Sequence, residues 1–148
     1  MAFKSKNSGG PHKKGAPQGA PPAKLTAMPL PEDFVTAAED VIQKDNWSRR
    51  ITTSKIRRLF SLLTEIYNTE NLRTGDDLAP ESVYQLRLAQ IRMLYEAGRD
   101  NAVKSFLKEA RLVEYLKDIG SSRTKLLHYF HYMEALVAYH KFYGGREG

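Results

Sequence analysis

His128, His131 and Glu134 recur at i, i+3 and i+6, a spacing at which two imidazoles and a carboxylate can share a metal ion. On a helix the three spread over about 120° of the circumference. Neither an HExxH nor a paired ExxH motif accompanies them, and the adjoining Tyr and Phe residues suit packing, so no metal site is expected. The absence of cysteine removes thiolate ligands and thiol nucleophiles. Glycines are scattered rather than gathered into a phosphate-cradling loop, and the acids form no obvious close pair. The residues present therefore predict no catalytic set, no cofactor and no enzyme.

The cations carry a different chemistry. Arg49, Arg50, Lys55, Arg57 and Arg58 fall within RRITTSKIRRLF, residues 49–60, with no acid among them, where a helix begins. A helix start already exposes unpaired N–H groups and the positive end of the macrodipole, so each added cation there costs about 0.3–1 kcal/mol. Free N–H groups from Thr53 to Lys55 and outward-facing Arg57 and Arg58 make a phosphate site. An ordinary solvated helix face is the alternative, and it leaves these charges without compensation; Glu65 is the one nearby acid on that side.

A second basic row, Lys104, Lys108, Arg111 and Tyr115, follows at i, i+4, i+7 and i+11. It can track a nucleic-acid backbone, with Tyr115 free to stack on a base or sugar, or it can be the wet side of an amphipathic helix. Arg87 falls on the wheel beside Tyr84, Ile91 and Leu94 rather than on the polar side, which predicts a guanidinium at a buried edge. Such a group needs an internal acid such as Glu81, or a phosphate.

The elements that must position these groups are helices. Residues 1–31 hold five Lys and no acid, six of the seven prolines and four of the ten glycines, a composition that cannot offset its own ordering entropy. This segment is expected to be a disordered tail, either a loose tether to polyanion or a solubilising leader. Residues 32–148 then form the folded domain. Removing the tail's charge from the net +6 leaves 18 basic against 17 acidic residues, so any anion-binding surface must arise by segregation.

From Pro31 onward the apolar period is helical, and the fold class is all-α, a compact bundle of about five helices. Pro31 opens the first, which buries Phe34, Ala37, Ala38, Val41 and Ile42 and stops near Asp45. Thr52, Thr53 or Ser54 caps a second, with Ile56, Leu59, Phe60, Leu63, Ile66 and Tyr67 on one face, ending before a polar loop NTENLRTGDD. Pro80 opens a third that runs to Gly98, Asp100 caps a fourth, and the fifth runs from about Arg123 to Tyr143. The fifth is apolar or aromatic on nearly every side. It is either sandwiched in the bundle or meets another chain through Tyr132, Tyr139 and Tyr143. No apolar run approaches the ~20 residues that cross a bilayer, and the amino terminus is not signal-like, so a cytoplasmic protein is expected.

ITTSKIRRLF at 51–60, LRLAQIRMLYEAGR at 86–99 and YFHYMEALVAYHKFYGG at 129–145 together give the chain its resemblance to a known family. In order and spacing they resemble the small helical subunit of type III-A CRISPR interference (Csm) complexes, over most of residues 34–145. The matching elements fall on Ser54, Ile56 and Arg57; on Tyr95, Gly98 and Arg99; and on Ala138 to Lys141. The resemblance implies a non-catalytic subunit of an antiviral RNA-guided complex. Such a subunit lies in several copies along guide RNA and target RNA, beside the other subunits, while cleavage belongs elsewhere. It adds Ser54, Arg99 and Lys141 to the candidate RNA-binding residues. The tail departs from that family's pattern. A second reading, a tetratricopeptide-like interaction module, rests on Ala102, Phe106 and Ala110; only one copy of the spacing is visible, where repeat arrays need about three.

Overall fold

A computed structural model of the chain describes residues 23–148. Among these residues eight helices follow one another: α1 (Phe34–Lys44), α2 (Trp47–Arg50), α3 (Thr53–Ser61), α4 (Thr64–Asn71), α5 (Pro80–Arg99), α6 (Asn101–Glu109), α7 (Leu112–Ile119) and α8 (Arg123–Phe142). Among the described residues the sole strand-like feature is an isolated bridge between Asp77 and Ser122. None of these helices is long and apolar enough to cross a membrane.

The class is as expected and the helix count is not. The expected second helix breaks after Ser61, where the N–H groups of Leu62 and Leu63 turn back to the carbonyls of Leu59 and Phe60. This tighter turn splits α3 from α4 while keeping Leu59, Leu63 and Ile66 buried. The expected fourth helix breaks at Arg111, a left-handed residue with φ 54°, which divides α6 from α7. The Ala110 carbonyl left free at the end of α6 is recovered by the central helix, whose Tyr132 donates to it at 2.8 Å, and Tyr129 donates to Leu112 O in the first turn of α7 at 2.7 Å. The short α2 has too few residues to show a period. α4 also continues through NTEN, counted as loop, because buried Glu70 finds its partners across the fold.

Helix α1 starts three residues after Pro31. Asp33 Oδ1 accepts the Thr36 N–H at 3.1 Å, and that cap places the first turn. Thr52 caps α3 in the same way, and Asp100 caps α6. The all-round apolar α8 is the central helix, packed by α1, α3, α4 and α7, with Leu126, Tyr129, Tyr132, Met133 and Leu136 buried. An aromatic stack of Tyr67 on Phe130, centroids 3.9 Å apart, with Phe60 beside it, joins α3 and α4 to this helix.

Of the expected tail, residues 1–22 lie outside the described residues. Residues 23–31 run along the bundle without helix, and Leu25, Met28 and Leu30 pack against its core. The Met28 N–H donates to Glu114 O at 3.0 Å, and the Lys117 ammonium to Leu25 O at 2.8 Å.

Candidate nucleic-acid interface

The start of α3 is where the basic cluster was expected to leave N–H groups open to phosphate, and there the chain supplies its own acceptors. Past α8 the backbone turns at Gly144, φ 96°, and lays residues 145–148 across α3. Thr53 N–H donates to Arg146 O at 2.8 Å and Ser54 N–H to Glu147 O at 2.9 Å, while the Lys55 N–H goes to the Thr52 side chain. The Glu147 carboxylate accepts from both arms of Arg57, at 2.9 and 3.4 Å, and lies 3.2 Å from the Lys141 ammonium. Hydrogen bonds from Lys141 and Arg57 hold it below the usual glutamate range.

Two further cations of the cluster are compensated from α5 and its end. Lys55 meets Asp100 at 2.7 Å, and Arg58 meets Glu96 at 3.7 Å; Arg99 meets the same Glu96 at 3.7 Å and leans over the Tyr95 ring. The expectation of five uncompensated charges is thereby corrected. The acids lie about forty to ninety residues away in sequence, and packing delivers them. Three of the cations, Lys55, Arg58 and Arg99, surround two acids in one small polar cleft.

Arg49 and Arg50 remain. Both are exposed, and no carboxylate of the described residues lies within 4.0 Å of either. Arg50 stacks over the Trp47 ring at 4.0 Å. With Lys55 and Arg146 they line an open groove of about 490 Å³ between α2, the α3 start and the C-terminal segment. Arg146 was missed from sequence, since nothing around it in GGREG marks it as a neighbour of α3.

Helix α6 stands next to this groove. Trp47 meets Phe106 edge-on at 5.2 Å, and Lys55 reaches Asp100 at the α6 cap. Lys104 and Lys108 are exposed on α6, also without a carboxylate partner among the described residues. The rest of their expected row does not join them. Arg111 turns away at the left-handed corner, against Met28 Sδ at 3.7 Å. Tyr115 is 9% exposed and packs edge-on against Tyr132, so the expectation of a stacking aromatic fails: the helix break rotates α7 inward. The tetratricopeptide-like spacing falls on this one short helix, with Phe106 and Ala110 buried.

Arg87 is exposed and not at a buried edge, because its neighbours Tyr84, Ile91 and Leu94 are themselves exposed. Ser54 is exposed, its hydroxyl 3.3 Å from that of Thr52. Among the described residues no His/Cys/Asp/Glu group is placed to hold a metal. His128 faces Phe34 and His131 pairs with Glu134 at 3.1 Å.

His140, part of a matching element in the sequence, organises the whole corner. Its fully buried ring donates from Nε2 toward the carbonyls of Ile51, 2.8 Å, and Trp47, 3.1 Å, which leaves Nδ1 to accept from the Thr53 hydroxyl at 3.0 Å. One side chain of α8 thus fixes the α2–α3 turn that carries Arg49 and Arg50.

Comparison with known proteins places this sequence in a family. The sequence model of the family described as Csm2 Type III-A matches residues 29–146. The CRISPR system Cms protein Csm2 of Streptococcus thermophilus is 39% identical over 120 residues, covering 78% of this chain and 95% of that protein. The protein of the same description from Mycobacterium tuberculosis H37Rv is 33% identical over 115 residues, covering 76% and 93%. That of Enterococcus italicus is 34% identical over 113 residues, covering 68% and 78%.

Proposed function

Since the chain belongs to the Csm2 type III-A family, and is thus a small non-catalytic subunit of a CRISPR effector complex, we propose that it holds guide or target RNA by its phosphates, without reading sequence. Its partners in this reading are the RNA, the other subunits and further copies of itself. The observation that carries it is the groove at the α2–α3 turn: Arg49, Arg50 and Arg146 converge on it with no carboxylate partner among the described residues, while Lys55, Arg57 and Lys141 beside them are paired. Exposed cations held by packing and left uncompensated are suited to a polyanion. Lys104 and Lys108 on the adjoining helix extend the contact. Lys55, Arg57, Arg58, Arg99 and Lys141 flank it as a second rank, each needing to exchange an internal carboxylate for phosphate. Arg87 and Arg111 contribute least, being set apart from the groove.

The test is binding of single-stranded RNA of mixed sequence by the assembled complex at two salt concentrations. Arg49→Glu/Arg50→Glu is expected to weaken binding by about tenfold or more at low salt and to flatten its salt dependence by roughly one unit of slope. The Arg57→Glu/Arg58→Glu pair is expected to cost less. Unchanged affinity and slope in Arg49→Glu/Arg50→Glu would remove the groove from the RNA path.

A further inference from the structure

After α8 the chain reverses at Gly144, whose φ of 96° lies in the region that favours glycine, and both sides of that turn are tied down. The Tyr143 phenol donates to Glu39, and the Gly145 N–H donates to His140 O at 2.8 Å. Gly145 is buried, seated so closely on the His140 ring that a Cβ would collide with it. Beyond Gly145 the fastening changes. Residues 146–148 are exposed and bring no apolar side chain. Among the described residues, two backbone hydrogen bonds to α3 and the ion pairs of Glu147 hold them, and in those pairs both partners are about half exposed. Ion pairs of that kind are weak in water and screened by salt. A firm pivot followed by a lightly held charged segment can open without disturbing the bundle.

What the segment covers is cationic. The Glu147 carboxylate takes both arms of Arg57 and lies 3.2 Å from the Lys141 ammonium. A guanidinium fork engaged on both arms by one carboxylate cannot offer the same fork to a phosphate, so the two acceptors exclude each other. The adjoining Arg146 instead lines the groove with Arg49 and Arg50, and the turn residue Gly144 forms part of the same wall. Lys55, two residues before Arg57 on α3, lines it as well. The segment thus carries an anion that competes at Arg57 and a cation that attracts at the groove, and its pivot stands where a bound polyanion would press.

Resting on the groove reading, we propose that residues 146–148 are a displaceable strap. In the free chain the Glu147 carboxylate holds Arg57 and Lys141 in place of phosphate; RNA entering the groove lifts the segment off α3 about the Gly144–Gly145 pivot and takes both cations. The device favours an extended polyanion over a free phosphate, because only a chain of phosphates can hold the groove and compete for Arg57 at once.

The native chain has no cysteine, and a Cβ added at Gly148 lies 3.1 Å from Ser54 Oγ, so Ser54→Cys/Gly148→Cys introduces one disulfide that locks the strap onto α3. The complex assembled with this full-length variant is titrated with single-stranded RNA of mixed sequence, first oxidised and then reduced. The wild-type complex is carried through the same two conditions, and its own response to reductant is subtracted. The locked form is expected to bind at least about fivefold more weakly at low salt than the same protein reduced, since locking removes the binding-competent state. Equal affinity of the two forms, or tighter binding by the locked one, overturns the proposal. So does failure of the disulfide to form, which would show that the segment does not lie on α3. The groove reading fails by a different result, wild-type RNA affinity in Arg49→Glu/Arg50→Glu, and the strap falls with it.

Discussion

His140 Nε2 lies 2.8 Å from the carbonyl oxygen of Ile51, eighty-nine residues earlier in the chain, and the contact is wholly buried. The same ring meets the Thr53 hydroxyl through Nδ1. In this arrangement Nε2 carries the proton and Nδ1 accepts from the hydroxyl, so one imidazole satisfies a carbonyl and a hydroxyl where the backbone leaves helical geometry between α2 and α3. Gly145 packs against this ring so closely that a Cβ there would collide with it, which ties the C-terminal segment to the same point.

Replacing His140 by Ala leaves the Ile51 carbonyl and the Thr53 hydroxyl buried without their partner. The expected loss is about 2–4 kcal/mol, read by urea unfolding. The double-mutant cycle with Thr53→Val is expected to return a coupling of about 1 kcal/mol between the two side chains. Additive losses would show that the ring acts by volume alone.

Glu147 occupies Arg57 and Lys141 with a carboxylate where the proposed ligand would bring a phosphate. Glu147→Gln is therefore expected to raise the affinity of the assembled complex for single-stranded RNA by about threefold at low salt, with the gain shrinking at high salt. The pair Arg57→Glu/Glu147→Gln is expected to lose that gain. A Glu147→Gln variant with wild-type affinity would show that RNA does not reach these cations.

Glu70 gives the acid limb of the stability curve. The side chain is fully buried; burial works to raise its titration point, but hydrogen bonds from Ser82, the Ala79 N–H and Arg73 outweigh it and hold the group below the usual glutamate range. A carboxyl lowered on folding contributes stability that is fully present above its unfolded value and is lost as pH falls through the folded one. Glu70→Gln is expected to cost about 3 kcal/mol at neutral pH, because Arg73 and Arg123 lose their buried partner. Urea titrations from neutral pH to below the usual carboxylate range should show the gap between variant and wild type narrowing as pH falls. A gap independent of pH would assign the loss to packing.

Much of the fold could be read along the chain because its signals are local. The caps at Thr52 and Asp100, the Pro80 start of α5 and the all-round apolar α8 each follow from residues within one or two turns. The breaks at Leu62 and Arg111 were not legible, because the apolar period runs on through both. What supports the second lies elsewhere: the Ala110 carbonyl left free before Arg111 is taken by the Tyr132 phenol of α8.

The candidate site divides the same way. That cations crowd residues 49–58 is a fact of sequence, as is the order of matching elements that marks the family. Which of those cations stay uncompensated is decided only in three dimensions. Asp100, Glu96 and Glu147 reach Lys55, Arg58 and Arg57 by way of α5 and the C-terminal segment, leaving Arg49 and Arg50 with Arg146 beside them. The reason is range. Helix propensity and amphipathic period are set by neighbours three and four residues away, whereas an ion pair forms between whatever groups the packing of separate helices brings within about 4 Å.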